Sequence, residues 1–154
     1  MKKCPHCLCD MDPEKGKPRS LDQMRRFFGV LRAMYSHWPE AVEEFQPHSE
    51  EHLRKWILCK AGHGTVVQTL TMPRTSNPSL MAALMSFAEQ LLEIDNRFGR
   101  WKGSTLAIYE AKSIAFHKLG QAAFNRLNDE VEAAYKEVTG LDPDEVLNQT
   151  ERAA

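Results

Sequence analysis

Leu21, Met24, Phe27, Phe28, Leu31, Met34 and Tyr35 recur at three- and four-residue intervals, the spacing that lines one face of an α-helix with apolar side chains. Such a stripe must be buried against something, so this segment seeds a core. It opens at Ser20-Leu21-Asp22-Gln23, a capping box in which Ser20 caps and Gln23 reaches back. Trp38-Pro39 ends it, because the residue before a proline is pushed out of the helical region. A short acidic helical turn follows over Pro39 to Phe45. Ser49, with Glu50 and Glu51 behind it, caps a second helix carrying Leu53, Trp56 and Ile57, stopped by Gly62 and Gly64. Asn77-Pro78 opens a long helix reaching to about Phe98. Leu119 to Val138 forms another, with Gly140 as its stop, and Asp142-Pro143-Asp144-Glu145 caps a last short one.

Strand-like alternation is confined to Thr65–Met72 and Ser104–Tyr109, with Ile114–Phe116 extending the latter after a break. Gly99–Gly103 reads as a loop. The pattern predicts one α+β domain over residues 1–154: a small antiparallel sheet packed with four to five helices. Residues 1–18 form an irregular arm, 19–140 the core, and 141–154 a short helix and tail. Leu80 to Ala88 is apolar around much of its circumference, which fits either the centre of the core or a partner interface.

Hydrophobic residues are 42% and charged residues 27% of the 154, a balance that excludes long disorder. The least charged stretch, 75–88, carries Asn, Pro and Ser and does not read as a membrane span. No apolar run follows Lys2 and Lys3, so the start does not read as a secretory signal. The expected setting is a reducing cytoplasm, where four cysteines serve as thiols or metal ligands rather than disulfides.

Cys4-Pro5-His6-Cys7 presents two thiolates from one tight turn, the usual half of a tetrahedral zinc site. Cys59 and His63, four residues apart at the end of the second helix, are the best second pair. If the first two helices pack antiparallel, the end of the second returns to the start of the first, where the arm is attached. The predicted site is therefore Cys4, Cys7, Cys59 and His63 around a structural Zn²⁺, with Cys9 as a competitor for the third position and His6 behind it. The alternative is a small buried Cys59 and a thiol-bearing tail.

Net charge is −1, but its distribution is uneven. Residues 1–36 hold eight Lys/Arg against four Asp/Glu, and residues 97–118 hold five against one. Lys17, Arg19, Arg25 and Arg26 surround a helix amino end, where backbone N–H groups and guanidinium groups suit a phosphate. Trp101 stands between Arg100 and Lys102, an arrangement single-strand binders use for stacking on bases. Against this, Ser20 and Gln23 can be caps alone, Arg25 can pair with an acid, and Trp101 can be core. No phosphate-cradling glycine loop, nucleophile elbow or HExxH is present, so no enzymatic activity is expected.

Arg19-Ser20-Leu21-Asp22-Gln23, followed by Arg25 and Arg26, resembles the R-S-L-x-Q-x-R signature of the NinB/Orf family of phage recombination-accessory proteins, whose opening a related phage group of unassigned function shares. Glu51–Leu58 and Lys60-Ala61-Gly62 resemble the Trp-containing helix that follows in that family. Lys112–Phe116, Leu119 and Phe124 are similar to its segment linking the last strand to the C-terminal helix. The likeness spans under half of the chain. It implies single-stranded-DNA binding without turnover, often as a homodimer, in the cytoplasm of a bacterial host. The cysteine arm in place of N-terminal strands and the helix at 77–98 depart from the family pattern. Two rival readings stand beside it. One is a phage anti-defence protein docking on a host protein through Glu40–Glu51 and Leu80–Leu92; the other is a zinc-dependent nuclease.

Overall fold

A computed structural model describes residues 21–74, 76–94, 97–114 and 119–153. The chain runs α1 (Leu21–Ser36), α2 (Glu50–Lys60), β1 (Gly64–Thr71), α3 (Pro78–Ile94), β2 (Phe98–Lys102), β3 (Thr105–Ala111), α4 (Gln121–Thr139) and α5 (Pro143–Ala153). This is an α+β fold with one antiparallel sheet ordered β1-β3-β2. Among the described residues no helix is long and apolar enough to cross a membrane. The arm at 1–18 lies outside the described residues.

The helices start and stop where local chemistry satisfies their free backbone groups. The Ser49 hydroxyl accepts from His52 N–H at 3.1 Å, and the Asn77 side chain accepts from the Ser79 and Leu80 amides. Gly140, with φ at 72°, closes α4 in the left-handed region. The expected helical turn at 39–45 is instead a run of turns. The Gln46 side-chain amide donates to the carbonyls of Pro39, Glu40 and Val42, which gives that backbone an alternative to helical bonding.

α1, α2, α4 and α5 build the main core. Phe27 meets Phe124 at 5.4 Å between ring centres and Trp38 meets Tyr135 at 5.9 Å, so α1 and α4 run side by side in the same direction. Arg32 near the end of α1 pairs with Glu50 at the start of α2, the relation expected of an antiparallel hairpin. Phe45 lies flat on Trp56 at 4.4 Å and 3°, and Phe98 of β2 closes edge-on against Phe45 at 6.0 Å.

The long helix ends at Ile94 and not at Phe98, and the stretch from Phe98 to Lys102 is a strand, where a loop at 99–103 was expected. Only Gly103 and Ser104 separate the paired Lys102 and Thr105. Gly103 takes φ of 61°, the positive value that tight hairpin turns require and glycine supplies at little cost. Gly99 is tolerated within this strand because α3 presses there. A Cβ at Gly99 would lie 2.5 Å from a Leu92 methyl and 2.7 Å from a Leu106 methyl. Ile114, expected in a strand extension, is buried but lies beyond β3; residues 115 and 116 are outside the described residues.

The sheet has two unlike faces. Leu70, Leu106, Ile108 and Trp101 pack with Ala88 and Leu92 of α3 into a second, smaller core. On the other face the register sets three rows across the strands: Val66–Tyr109–Phe98, Thr69–Ala107–Arg100 and Thr71–Thr105–Lys102. Phe98 and Ala111 dock on the main core. The last two rows stay open to solvent along β1 and β2, where Thr69, Thr71, Arg100 and Lys102 are all exposed.

His52 is 6% exposed and stacks between His48 at 3.8 Å, Phe45 at 4.7 Å and Phe98 at 5.6 Å. Burial, aided by the charges of His48 and Lys55, holds its pKa down to about 4 from an ordinary 6.5. The folded state therefore keeps His52 neutral while the unfolded chain takes up a proton. Stability from this group is complete above pH 6.5 and is lost as pH falls from 6.5 toward about 4, by on the order of 2–3 kcal/mol. Urea unfolding across that range is expected to show this loss in the wild type and a flatter profile in His52→Phe; parallel profiles would contradict it.

Candidate nucleic-acid interface

β2 places Arg100 and Lys102 two residues apart on the open sheet face, about 7 Å from each other along the strand. The Arg100 guanidinium lies 5.7 Å from the centre of the Tyr109 ring on the neighbouring strand, within cation–π range. No carboxylate pairs with Arg100 or Lys102 among the described residues. Thr71 and Thr105 add hydroxyls 3.2 Å apart in the row of Lys102.

At its core-proximal end this face runs into a cleft of about 360 Å³ between the sheet and the end of α2, lined by Trp56, Cys59, Lys60, Phe98, Arg100 and Tyr109 among others. Lys60 lies 5.9 Å from the Trp56 ring centre and pairs with Glu44 at 2.6 Å, so its charge is partly compensated. Gly64 forms part of the wall. A Cβ there would stand 3.0 Å from the Cys59 sulfur, so glycine lets the first residue of β1 pass close to α2. Burial, with the charge of Glu110, pushes the Cys59 thiol up to about 11.

The residues singled out by sequence fall into separate places. Arg100 and Lys102 share the open face. Trp101 points to the other side, half-buried against α3, with Nε1 donating to Glu89 at 3.1 Å. Arg25 sits 3.5 Å from Asp22, both side chains largely exposed, and Arg26 sits 3.0 Å from Asp144 of α5. Their charges are thus locally offset, though exposed pairs of this kind are weak. Lys17 and Arg19 lie outside the described residues. Tyr109, Trp56 and Lys60 were not anticipated. The alternation Ala107, Tyr109, Ala111 in β3 was the available signal for the first.

Of the predicted zinc ligands, Cys4 and Cys7 lie outside the described residues, as do the competitors Cys9 and His6. Cys59 turns into the cleft. His63 Nε2 meets the Glu130 carboxylate of α4 at 2.5 Å. A carboxylate accepts, so Nε2 is the donor and Nδ1 is the ring atom left for another partner. Glu130 stands five residues along α4 from Asn125, about 7.5 Å of rise. Asn125 in turn accepts from Gln23 near the start of α1. α4 thus contacts both the residue that follows α2 and the amino end of α1, through side chains on different turns. No group of three or more His, Cys, Asp or Glu suited to a metal occurs among the described residues.

No family model, curated protein or solved structure matches the chain.

Proposed function

We propose that this protein binds single-stranded nucleic acid on the open face of its sheet and works without turnover, as a recombination-accessory protein of the kind the NinB/Orf resemblance implies. The observation that carries the reading is Arg100 over Tyr109 on an exposed sheet surface, with Lys102 in the next row. Guanidinium and ammonium groups neutralise successive phosphates, while an aromatic ring offers a stacking surface that tolerates any base. Tyr109 takes the stacking role here rather than Trp101. The cleft beyond it, with Trp56 and Lys60, extends the path for the strand. Arg25 and Arg26 contribute a second, weaker phosphate contact, because each already has a carboxylate beside it.

Two phosphate contacts give a slope of log affinity against log salt of about −1.4 for a single strand. Fluorescence anisotropy of an oligo-dT strand is therefore expected to show binding that weakens about sevenfold between roughly 50 and 200 mM salt. Arg100→Ala with Lys102→Ala should remove most of the affinity and the salt dependence, whereas Arg25→Ala with Arg26→Ala should leave most of it. No binding in low salt, or loss confined to the α1 pair, would overturn the assignment.

The same reading includes a structural zinc ion held by Cys4, Cys7, Cys59 and His63. Support comes from the Glu130 contact: ligating histidines commonly give their other N–H to a carboxylate, which fixes the tautomer. A zinc ion there would need the Cys59 thiolate, so binding would release its proton. Metal analysis of purified protein is expected to find about one zinc per chain, lost in Cys4→Ser. Glu130→Ala should weaken zinc affinity about 10–100-fold. Metal-free protein with reduced cysteines would remove the proposal and leave the sheet-face reading standing.

A further inference from the structure

We propose that the cleft between the sheet and the end of α2 is a blind pocket for the end of a nucleic-acid strand, taking one terminal nucleotide with its phosphate; this rests on the sheet-face reading. A strand following Lys102 and Arg100 along β2 runs toward Phe98, and there the way is closed. On the β2 side the Phe98 ring stands edge-on to Phe45 at 6.0 Å, and Phe45 lies flat on Trp56 of α2. On the β1 side Gly64 passes so close to α2 that a Cβ there would stand 3.0 Å from the Cys59 sulfur. Between these two closures, Lys60 at the end of α2 is tied to Glu44 of the preceding turns at 2.6 Å. The cleft therefore opens toward Arg100 and outward to solvent, and a chain that enters along the sheet has no exit beyond α2.

Size and lining select the occupant. The cleft holds about 360 Å³, at the small end of the roughly 300–1,000 Å³ of ligand pockets, so it suits a single nucleotide and not a run of them. Tyr109, half-buried in the floor with the Arg100 guanidinium 5.7 Å from its ring centre, offers the ring on which the last base stacks. Among the described residues that line the cleft, the cations Lys60 and Arg100 stand against one carboxylate, Glu44. Arg100 is on the sheet floor and Lys60 on the α2 wall, so positive charge continues past the stacking ring. A base turned in from a continuous strand leaves its backbone outside, where Lys60 meets no phosphate. A terminal nucleotide brings its phosphate with it. That group carries a charge of about −1.5 to −2 at neutral pH and competes with Glu44 for Lys60 more strongly than an internal phosphate does.

Competition in fluorescence anisotropy, with the full chain and an internally labelled strand, tests this. The competitors are linear oligo-dT with a 5′-phosphate, the same oligomer with a 3′-phosphate, and the same oligomer closed into a circle. One linear form is expected to bind about tenfold or more tighter than the circle, the worth of one stacked base, and which one does so gives the direction of the strand. Lys60→Met keeps the aliphatic stem beside Trp56 while removing the charge; with helical circular dichroism unchanged, it should lose most of that difference. Arg100→Ala with Lys102→Ala should weaken all three competitors. A circle that binds the wild type as tightly as both linear forms, yet is lost in the Arg100 and Lys102 double change, would overturn the proposal and leave the sheet-face reading standing. An end preference undiminished in Lys60→Met would overturn it too. No binding by any of the three would remove both.

Discussion

Phe45 lying flat on Trp56, with Phe98 against its edge, is the contact that joins the helical core to the sheet. Phe45 comes from the turns between α1 and α2, Trp56 from α2 and Phe98 from the first residue of β2. Three rings meeting this way bury several hundred Å² of apolar surface and gain further from their mutual geometry. Trp38 is held in the same group, 5.7 Å from Trp56, and its indole N–H donates to the Phe45 carbonyl at 3.0 Å. His52 fills the remaining side as a neutral ring, since a charged imidazole there would lose its hydration. The cluster fixes one end of β2 and leaves the other end to be held by β3 and α3.

That one-ended attachment explains why the sheet has an open face. α3 covers the Leu106 and Ile108 side, while among the described residues the main core meets the opposite side at its near end, around Phe98, Ala111 and Gly64. The rows of Arg100 and Lys102 project past the cluster, and the long side chains there keep their charged groups in water. An antiparallel sheet accepts one solvated face at little cost. The same arrangement leaves Leu80 and Phe87 of α3 exposed at the surface. An exposed cationic face on one side of the sheet and exposed apolar residues of α3 on the other follow from one topology.

Much of the fold was legible because helix ends announce themselves chemically. Ser49, Asn77 and Gly140 each do in the structure what their residue type suggests. β2 was not legible as a strand because two glycines in five residues, Gly99 and Gly103, read as a loop. Only the packing shows that the first makes room for Leu92 and Leu106 while the second turns a two-residue hairpin. At the interface, Arg100 and Lys102 were readable as cations, but their separation from Trp101 depended on register. A slip of one residue exchanges the two faces of a strand, and composition does not specify it. Leu80 to Ala88 posed two alternatives, and the exposure of Leu80 and Phe87 decides for the surface.

Backbone and side-chain chemical shifts, followed by nuclear magnetic resonance as oligo-dT is added, test the central claim most directly. Perturbations are expected at Arg100, Lys102, Tyr109, Thr69 and Thr71, with Trp101 and the outward residues of α3 little changed. Shifts gathered at the amino end of α1 with the sheet silent, or centred on the Trp101 face, would contradict the account.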